Sequence, residues 1–98
     1  MEKTLFQQII DREIPATIEY EDDKVIAIRD IQPSAKLHLL VIPKKPIPTV
    51  NDLTEADAPL VGHVYLVAQQ LAEKFNVSES GYRLVTNVNK DAGLRSTG

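Results

Sequence analysis

Apolar residues near the start of the chain recur at helical spacing. Polar residues separate them, and the apolar set is Leu5, Phe6, Ile9 and Ile10. Intervals of three and four residues predict a short amphipathic helix. Thr4 provides a capping hydroxyl for its first turn. Pro15 predicts its end, because the residue before a proline avoids the helical region.

Three further segments have the pattern of β-strands. Residues 18–20 alternate between apolar and polar, residues 25–28 are apolar, and a charged turn at residues 21–24 separates them. This arrangement predicts a β-hairpin. Residues 37–42 would present apolar side chains on both faces of a strand. Such a run predicts a central strand that is covered on both sides.

A second helical stripe runs through the middle of the chain and predicts a long helix of roughly 20 residues. Its members are Leu60, Val61, Val64, Val67, Ala68, Leu71, Ala72 and Phe75. Asn51 or Thr54 can cap this helix, and Thr54 has Asp57 three residues later, an imperfect capping box. Residues 82–87 predict one more strand. The order of elements therefore predicts an α+β domain with an antiparallel sheet, one short helix and one long helix.

Composition narrows the functional classes. The chain has 98 residues, of which 43% are hydrophobic and 26% charged, and this balance predicts a single globular domain. A net charge of −3 does not favour a nucleic-acid partner. The absence of cysteine excludes disulfides and thiolate metal sites within these residues, and it is compatible with a reducing cytoplasm. No segment approaches the ~20 apolar residues of a membrane span, and the N-terminus does not resemble a signal peptide.

Few residues are candidates for chemistry. The two histidines, His38 and His63, have no metal-ligand spacing with another candidate, so no metal or cofactor is expected. His63 lies one position from the apolar stripe, where a histidine most often packs or forms a structural hydrogen bond. His38 begins a predicted strand and can point to either face, with a structural or a catalytic role. Residues 87–93 can form a backbone anion pocket, although they match no phosphate-loop pattern.

Five segments, taken in order, resemble the histidine triad family, and most closely its small nucleoside phosphoramidase branch. They are residues 6–15 (FQQIIDREIP), 20–23 (YEDD), 30–33 (DIQP), 38–45 (HLLVIPKK) and 81–87 (GYRLVTN). They occur in the order and spacing of that family and are distributed from residue 6 to residue 87, over most of the length of the chain. The resemblance implies an α+β fold, a homodimer whose sheet continues across the interface, and a purine nucleotide site beside the sheet.

The resemblance also assigns roles to individual residues. It implies that Phe6, Ile9 and Ile14 line a base pocket, although a simple core role is the alternative for these three. It implies that Asp30 accepts hydrogen bonds from ribose hydroxyls, that Ile31 packs beside the sugar and that Asn87 lies near the phosphate. His38 matches a histidine that supports the site from the neighbouring strand. His63 matches a helix position near the dimer interface.

The chain departs from the family where catalysis is expected. The family places three alternating histidines on a last strand, and the middle one attacks phosphorus. Here Leu94-Arg-Ser-Thr-Gly98 follows Gly93 in place of the expected Gln-Ser-Val-aromatic-His run. We therefore expect a single domain over residues 1–98 that is truncated or altered after about residue 93, through a frameshifted or truncated gene. Thr4 and Gln7 stand where some members carry zinc-binding cysteines, and Pro46 where many carry histidine.

Three hypotheses follow. The first is a cytoplasmic, nucleotide-binding relative of phosphoramidases and nucleotide hydrolases that is catalytically inactive, with a purine nucleoside monophosphate or nucleotide conjugate as partner. Without the last strand, its sheet would expose an edge, which predicts rearranged dimerisation, strand exchange or reduced stability. The second is a non-enzymatic nucleotide-binding or scaffold module. The third is an enzyme that uses His38 in another mechanism.

Overall fold

Among the residues that the structure describes, a three-stranded antiparallel sheet and two α-helices make up most of the regular structure. The computed structural model describes residues 5–13, 15–30 and 35–92, which divide into two compact units, one up to Pro46 and one from Ile47. The first unit contains α1 (Leu5–Ile10), β1 (Ile18–Glu21), β2 (Val25–Arg29) and β3 (Leu39–Pro43). The second contains α2 (Ala58–Lys74) and three short 3-10 turns, Val50–Asp52, Glu55–Asp57 and Lys90–Ala92. The predicted α+β class is confirmed.

The sheet has the order β1-β2-β3, with both strand pairs antiparallel. The hairpin predicted for residues 18–28 is confirmed. The prediction that residues 37–42 form the central strand is wrong, because β2 lies between the other two strands of the described sheet. The first four residues of β2 are at most 3% exposed, whereas all five residues of β3 are half-buried. A run of apolar residues therefore did not by itself distinguish a central strand from an outer one.

One face of the sheet carries the core of the first unit. Successive side chains on a strand point to opposite faces, so Ile26 and Ile28 share a face. They pack with Ile9 of α1 in a buried cluster. The cluster is completed by partly buried apolar side chains at Ile10, Ala16, Leu40 and Ile42. The predicted amphipathic pattern of α1 thus has a clear structural role, because its second turn covers this face.

Helix α1 ends earlier than its sequence predicts. Its last residue is Ile10, and Arg12 adopts a left-handed conformation with φ of 64°. The Arg12 amide donates to the Ile9 carbonyl and the Glu13 amide to the Gln8 carbonyl, which is the hydrogen-bond pattern of a Schellman motif. The Schellman motif with Arg12 at its left-handed position therefore stops the helix after Ile10, and Pro15 is not the cause. Thr4, its predicted cap, lies outside the described residues.

The turn of the hairpin is organised by Asp22. One oxygen of its carboxylate accepts hydrogen bonds from the amides of Lys24 and Val25, at 2.7 and 2.8 Å. The other accepts from the hydroxyl of Tyr20 at 2.7 Å, and this bond raises the pKa of the Tyr20 phenol. An aspartate that binds backbone amides two and three residues later stabilises a tight turn. The acidic run at residues 21–23 therefore contains a residue with a structural role in the turn.

Glu21 connects three parts of the first unit. Its Oε2 lies 2.7 Å from Nζ of Lys44, just beyond β3, and its Oε1 pairs with the guanidinium of Arg12, just beyond α1. The hydrogen bond from Lys44, and next the one from Arg12, lower the pKa of the Glu21 carboxyl below its ordinary value of 4.5. The end of α1 and the end of β3 are thus both held to β1.

The second unit begins with two successive capping boxes. The Thr49 hydroxyl accepts from the Asn51 amide, and the Asp52 carboxylate accepts from the Thr49 amide at 3.1 Å. The Asp57 carboxylate accepts from the Thr54 amide at 2.9 Å, which confirms the predicted Thr54 box. This second box leads directly into α2, whose first turn contains Pro59, a position that suits proline.

Helix α2 has 17 residues and buries the predicted stripe most deeply at Val67, Leu71 and Ala72. It ends at a second Schellman motif, with Asn76 in the left-handed conformation at φ 60°. The strand predicted for residues 82–87 is wrong, because this segment has no regular secondary structure. Its residues are exposed, and Tyr82, Leu84 and Val85 retain 50%, 49% and 60% of their accessible surface.

The lowered pKa of Glu21 predicts how acid affects the protein. A carboxyl with a lowered folded-state pKa contributes stability above pH 4.5 and loses it as pH falls through the lowered value. We expect Glu21→Gln to reduce the free energy of unfolding at pH 7 by up to about 1 kcal/mol, the upper range for exposed ion pairs. At pH 3 the difference from the natural chain should shrink. Urea unfolding at both pH values measures it.

Glu79→Gln, which removes an exposed glutamate of the second unit, is the matched control. It should leave the unfolding midpoint nearly unchanged at both pH values. A Glu21→Gln deficit of the same size at pH 3 and pH 7 would contradict the assignment.

Candidate functional site

The register of β2 and β3 brings Asp30 and His38 together. Arg29 pairs with Leu39 at the end of the ladder, so Asp30 and His38 are opposite each other one position further along. The Asp30 amide donates to the His38 carbonyl at 3.0 Å, which extends the pairing. Side chains of opposite residues lie on the same face of an antiparallel pair. The His38 Nε2 and Asp30 Oδ2 atoms are accordingly 3.4 Å apart.

This pair lies on the same face as the core of the first unit. Asp30 follows Ile26 and Ile28 at two-residue intervals, and His38 precedes Leu40 at the same interval on β3. The apolar strip under α1 therefore ends in a carboxylate and an imidazole. The face of His38, which the sequence left open, is thus assigned by the register.

The two side chains differ in their accessibility. That of Asp30 retains 6% of its accessible surface and that of His38 retains 31%. A buried carboxylate is costly unless hydrogen bonds compensate for its lost hydration. The His38 ring, 3.4 Å away, is one group placed to compensate for that loss. The Asp30 carboxylate is therefore a largely desolvated acceptor next to a more accessible ring.

An open depression lies beside Asp30. Its lining residues are Pro15, Ala16, Thr17, Arg29 and Asp30. The Arg29 amide donates to the Thr17 carbonyl at 3.0 Å, which holds the segment before β1 against the end of β2. Nε of Arg29 lies 2.6 Å from Oε2 of Glu19, so its guanidinium is directed to β1. The depression thus combines an apolar wall with a carboxylate acceptor, a combination suited to a ligand that has hydroxyl groups.

The predicted site residues fall into three groups. Asp30 lines the depression, and Ile9 lies in the adjoining core, 7% exposed. Asn87 is exposed in the irregular segment of the second unit, where His63 is half-buried on α2. Ile14, Ile31 and the side chain of Phe6 lie outside the described part of the molecule. The nucleotide roles of the six residues Phe6, Ile9, Ile14, Asp30, Ile31 and Asn87 stay predictions.

The sequence did not single out four of the lining residues, which are Pro15, Ala16, Thr17 and Arg29. The first three precede β1 and Arg29 ends β2, and the antiparallel hairpin brings the start of β1 next to the end of β2. That topology was the available signal. Among the described residues, no group of three or more His, Asp or Glu side chains is placed to hold a metal ion. Nor does any helix there have the length and apolar character needed to cross a membrane.

Comparisons with known proteins identify the family of the chain. A family model described as "Scavenger mRNA decapping enzyme C-term binding" matches residues 3–92. The "Purine nucleoside phosphoramidase" of Escherichia coli K12 is 47% identical over 92 residues, which cover 94% of this chain and 77% of that protein. The chain belongs to the histidine triad family. An "Uncharacterized HIT-like protein" of a Synechocystis strain is 44% identical over 92 residues, 94% of this chain and 80% of that protein.

A solved structure gives the same assignment for the fold. A histidine triad (HIT) family hydrolase from Legionella pneumophila Philadelphia 1 superposes with a TM-score of 0.91 at 46% identity. The superposition covers 95% of this chain and 83% of the hydrolase. The histidine triad fold therefore accounts for the sheet, the short helix and the long helix described above.

Proposed function

We propose that this histidine triad protein binds a purine nucleoside monophosphate or a nucleotide conjugate beside Asp30. Membership of the family supports a nucleotide-related function. The name of the E. coli relative, a purine nucleoside phosphoramidase, supports a purine over a pyrimidine. In this proposal the base contacts Phe6, Ile9 and Ile14. The ribose contacts Asp30 and Ile31, and the phosphate lies near Asn87.

The position of Asp30 is the observation that carries this proposal. Its side chain is 6% exposed and contributes to the wall of an open depression. Ribose presents neighbouring hydroxyl donors, and an ionised carboxylate has two oxygens that accept hydrogen bonds. Hydrogen bonds to a charged acceptor contribute about 1.5–3 kcal/mol each, enough to make Asp30 a main determinant of affinity. Pro15 and Ala16 supply apolar surface on the same wall.

We further propose that these 98 residues do not perform nucleotidyl transfer by the family's mechanism. Covalent catalysis at phosphorus needs a nucleophile and a partner for proton transfer. The sequence contains two histidines, so three alternating histidines are not among its residues. His38 lies against Asp30, and His63 is on α2 in the other unit. Nucleotide binding without hydrolysis is the function that this set of residues supports best.

A scaffold module is the second candidate function, and the exposed apolar segment favours it. Tyr82, Leu84 and Val85 are each about half exposed or more, in a stretch with the composition of a strand. Exposed apolar side chains that lie close together in sequence often mark an interaction surface. We propose that this segment contributes to a homodimer in which the sheet is extended or strands are exchanged.

Binding of AMP tests the main proposal. We expect Asp30→Ala to weaken AMP binding about tenfold or more, because one hydrogen-bonded carboxylate is worth at least ~1.4 kcal/mol here. Isothermal titration calorimetry would give both affinities. Asp23→Ala, which removes an exposed carboxylate from the hairpin turn, is the control and should bind AMP normally. Equal affinity of the natural chain and Asp30→Ala would contradict the assigned site, as would a preference for CMP over AMP.

Hydrolysis of AMP-phosphoramidate tests the proposed lack of catalysis. We compare this chain with a version in which Gln-Ser-Val-Tyr-His-x-His-x-His follows Gly93. Release of AMP should be detectable only with the extended version, since that version regains a nucleophile and its proton-transfer partners. Hydrolysis by both chains would refute the proposed inactivity and point to His38. Inactivity of both would favour the scaffold function.

The mass in solution tests the proposed homodimer. Analytical ultracentrifugation should give twice the mass of one chain. Val85→Asp should shift the equilibrium toward the monomer by about tenfold or more, because a buried unpaired charge in an interface is costly. Val50→Asp, at an exposed apolar position outside the segment, should leave the mass unchanged. A folded natural chain that is monomeric at all concentrations would rule out the homodimer.

A further inference from the structure

We propose that His38 is a positioning residue that orients the Asp30 carboxylate toward the ribose hydroxyls of a bound nucleotide. The inference rests on the proposed function, and it assigns a determinant of sugar specificity within that same site. The contact that carries it is the 3.4 Å approach of His38 Nε2 to Asp30 Oδ2. In this role His38 acts through Asp30 and does not itself touch the sugar.

The position of Asp30 explains why it needs an orienting partner. The residue follows the last residue of β2, so cross-strand pairs of the ladder flank it on one side. An aspartate side chain has two rotatable bonds, and a largely buried carboxylate takes the orientation that its hydrogen-bond donors favour. The imidazole of His38 lies directly across the strand pair with Nε2 3.4 Å from Oδ2, and an N–H at that nitrogen would be such a donor.

The guanidinium of the neighbouring Arg29 contacts a different carboxylate. Arg29 precedes Asp30, and adjacent residues on a strand point to opposite faces. Its Nε lies 2.6 Å from the Glu19 carboxylate on β1. His38, just before β3, and the Arg29–Glu19 pair between β2 and β1 are titratable and charged groups that the described contacts place around this end of the sheet. Of these, His38 is the one whose contact with Asp30 lies on the ligand-binding face.

The proposed contact between His38 and Asp30 is compatible with ligand binding. An ionised carboxylate accepts several hydrogen bonds, so a contact with His38 at Oδ2 is compatible with further bonds to ribose hydroxyls. With Oδ2 held by the ring, the other oxygen and the remaining lone pairs keep a constant direction relative to the depression that Asp30 lines. Affinity for the hydroxyls, but not for the base or the phosphate, should then depend on His38.

The test compares AMP with 2′,3′-dideoxy-AMP, which lacks the hydroxyls. The measured quantity is the ratio of the two dissociation constants, obtained by calorimetry for each variant. We expect the natural chain to prefer AMP by about tenfold or more, and His38→Ala to reduce this preference at least ~threefold. Partial unfolding of a variant lowers the apparent affinity for both ligands equally, so the ratio reports on the hydroxyl contacts and not on folding.

Three further variants complete the experiment. His38→Gln, which keeps an N–H donor near the position of Nε2, should restore most of the preference. In an Asp30→Ala background, His38→Ala should have no further effect on the ratio, because the group it orients is gone. His63→Ala, which removes the other histidine, should match the natural chain.

The outcomes separate the two proposals. An unchanged ratio in His38→Ala, or a His38→Gln variant no better than His38→Ala, would overturn the positioning role while AMP binding through Asp30 remained valid. Failure of the natural chain to bind AMP would overturn the proposed function, and the positioning role with it.

Discussion

The register between β2 and β3 is the constraint on which the first unit depends. Side chains alternate across a strand, so a slip of one residue would move every side chain of β3 to the other face. In the observed register, Ile26 lies opposite Ile42 and Ile28 opposite Leu40, and these pairs share the face that α1 covers. The same alternation continues to Asp30 and His38. The core and the candidate site are therefore two parts of one ladder.

Polar contacts at both ends of the hairpin hold β1 to β2, beside that ladder. At the turn, the Asp22 carboxylate binds two backbone amides and the Tyr20 hydroxyl. At the open end, the Arg29 amide binds the Thr17 carbonyl. Glu21 adds bonds to Arg12 and Lys44. Because the apolar cluster is small, these bonds have an important part in specifying one arrangement among several that would bury similar area.

The sequence predicted the elements whose signals are local. The hairpin followed from alternation on either side of a charged turn, and the Thr54–Asp57 box from its spacing. The irregular conformation of residues 82–87 was not predictable from composition, because β-branched and aromatic residues favour strands only where a partner is available. The end of α1 was also missed. Arginine seldom adopts a left-handed conformation, so residue type gives no signal at Arg12.

The candidate site was predictable in its chemistry but not in its geometry. Asp30 could be singled out from the family resemblance, yet its contact with His38 depends on which residues pair across β2 and β3. That pairing is a non-local property, and neither residue type nor periodicity specifies it. Ile14 and Ile31 and the side chain of Phe6 lie outside the described residues, so their part in a base or sugar pocket stays a prediction from resemblance alone.

The two successive capping boxes before α2 have a consequence for the order in which the chain folds. Thr49 with Asp52 and Thr54 with Asp57 each close a turn through contacts only three residues apart. Starting a helix is the slow, unfavourable step of helix formation, and pre-formed turns at its first residues reduce that barrier. The ladder that carries Asp30 and His38 needs partners further apart in sequence, and such contacts form more slowly. Helix α2 therefore begins with contacts that are more local than those of the ladder, which favours formation of the helix before the site.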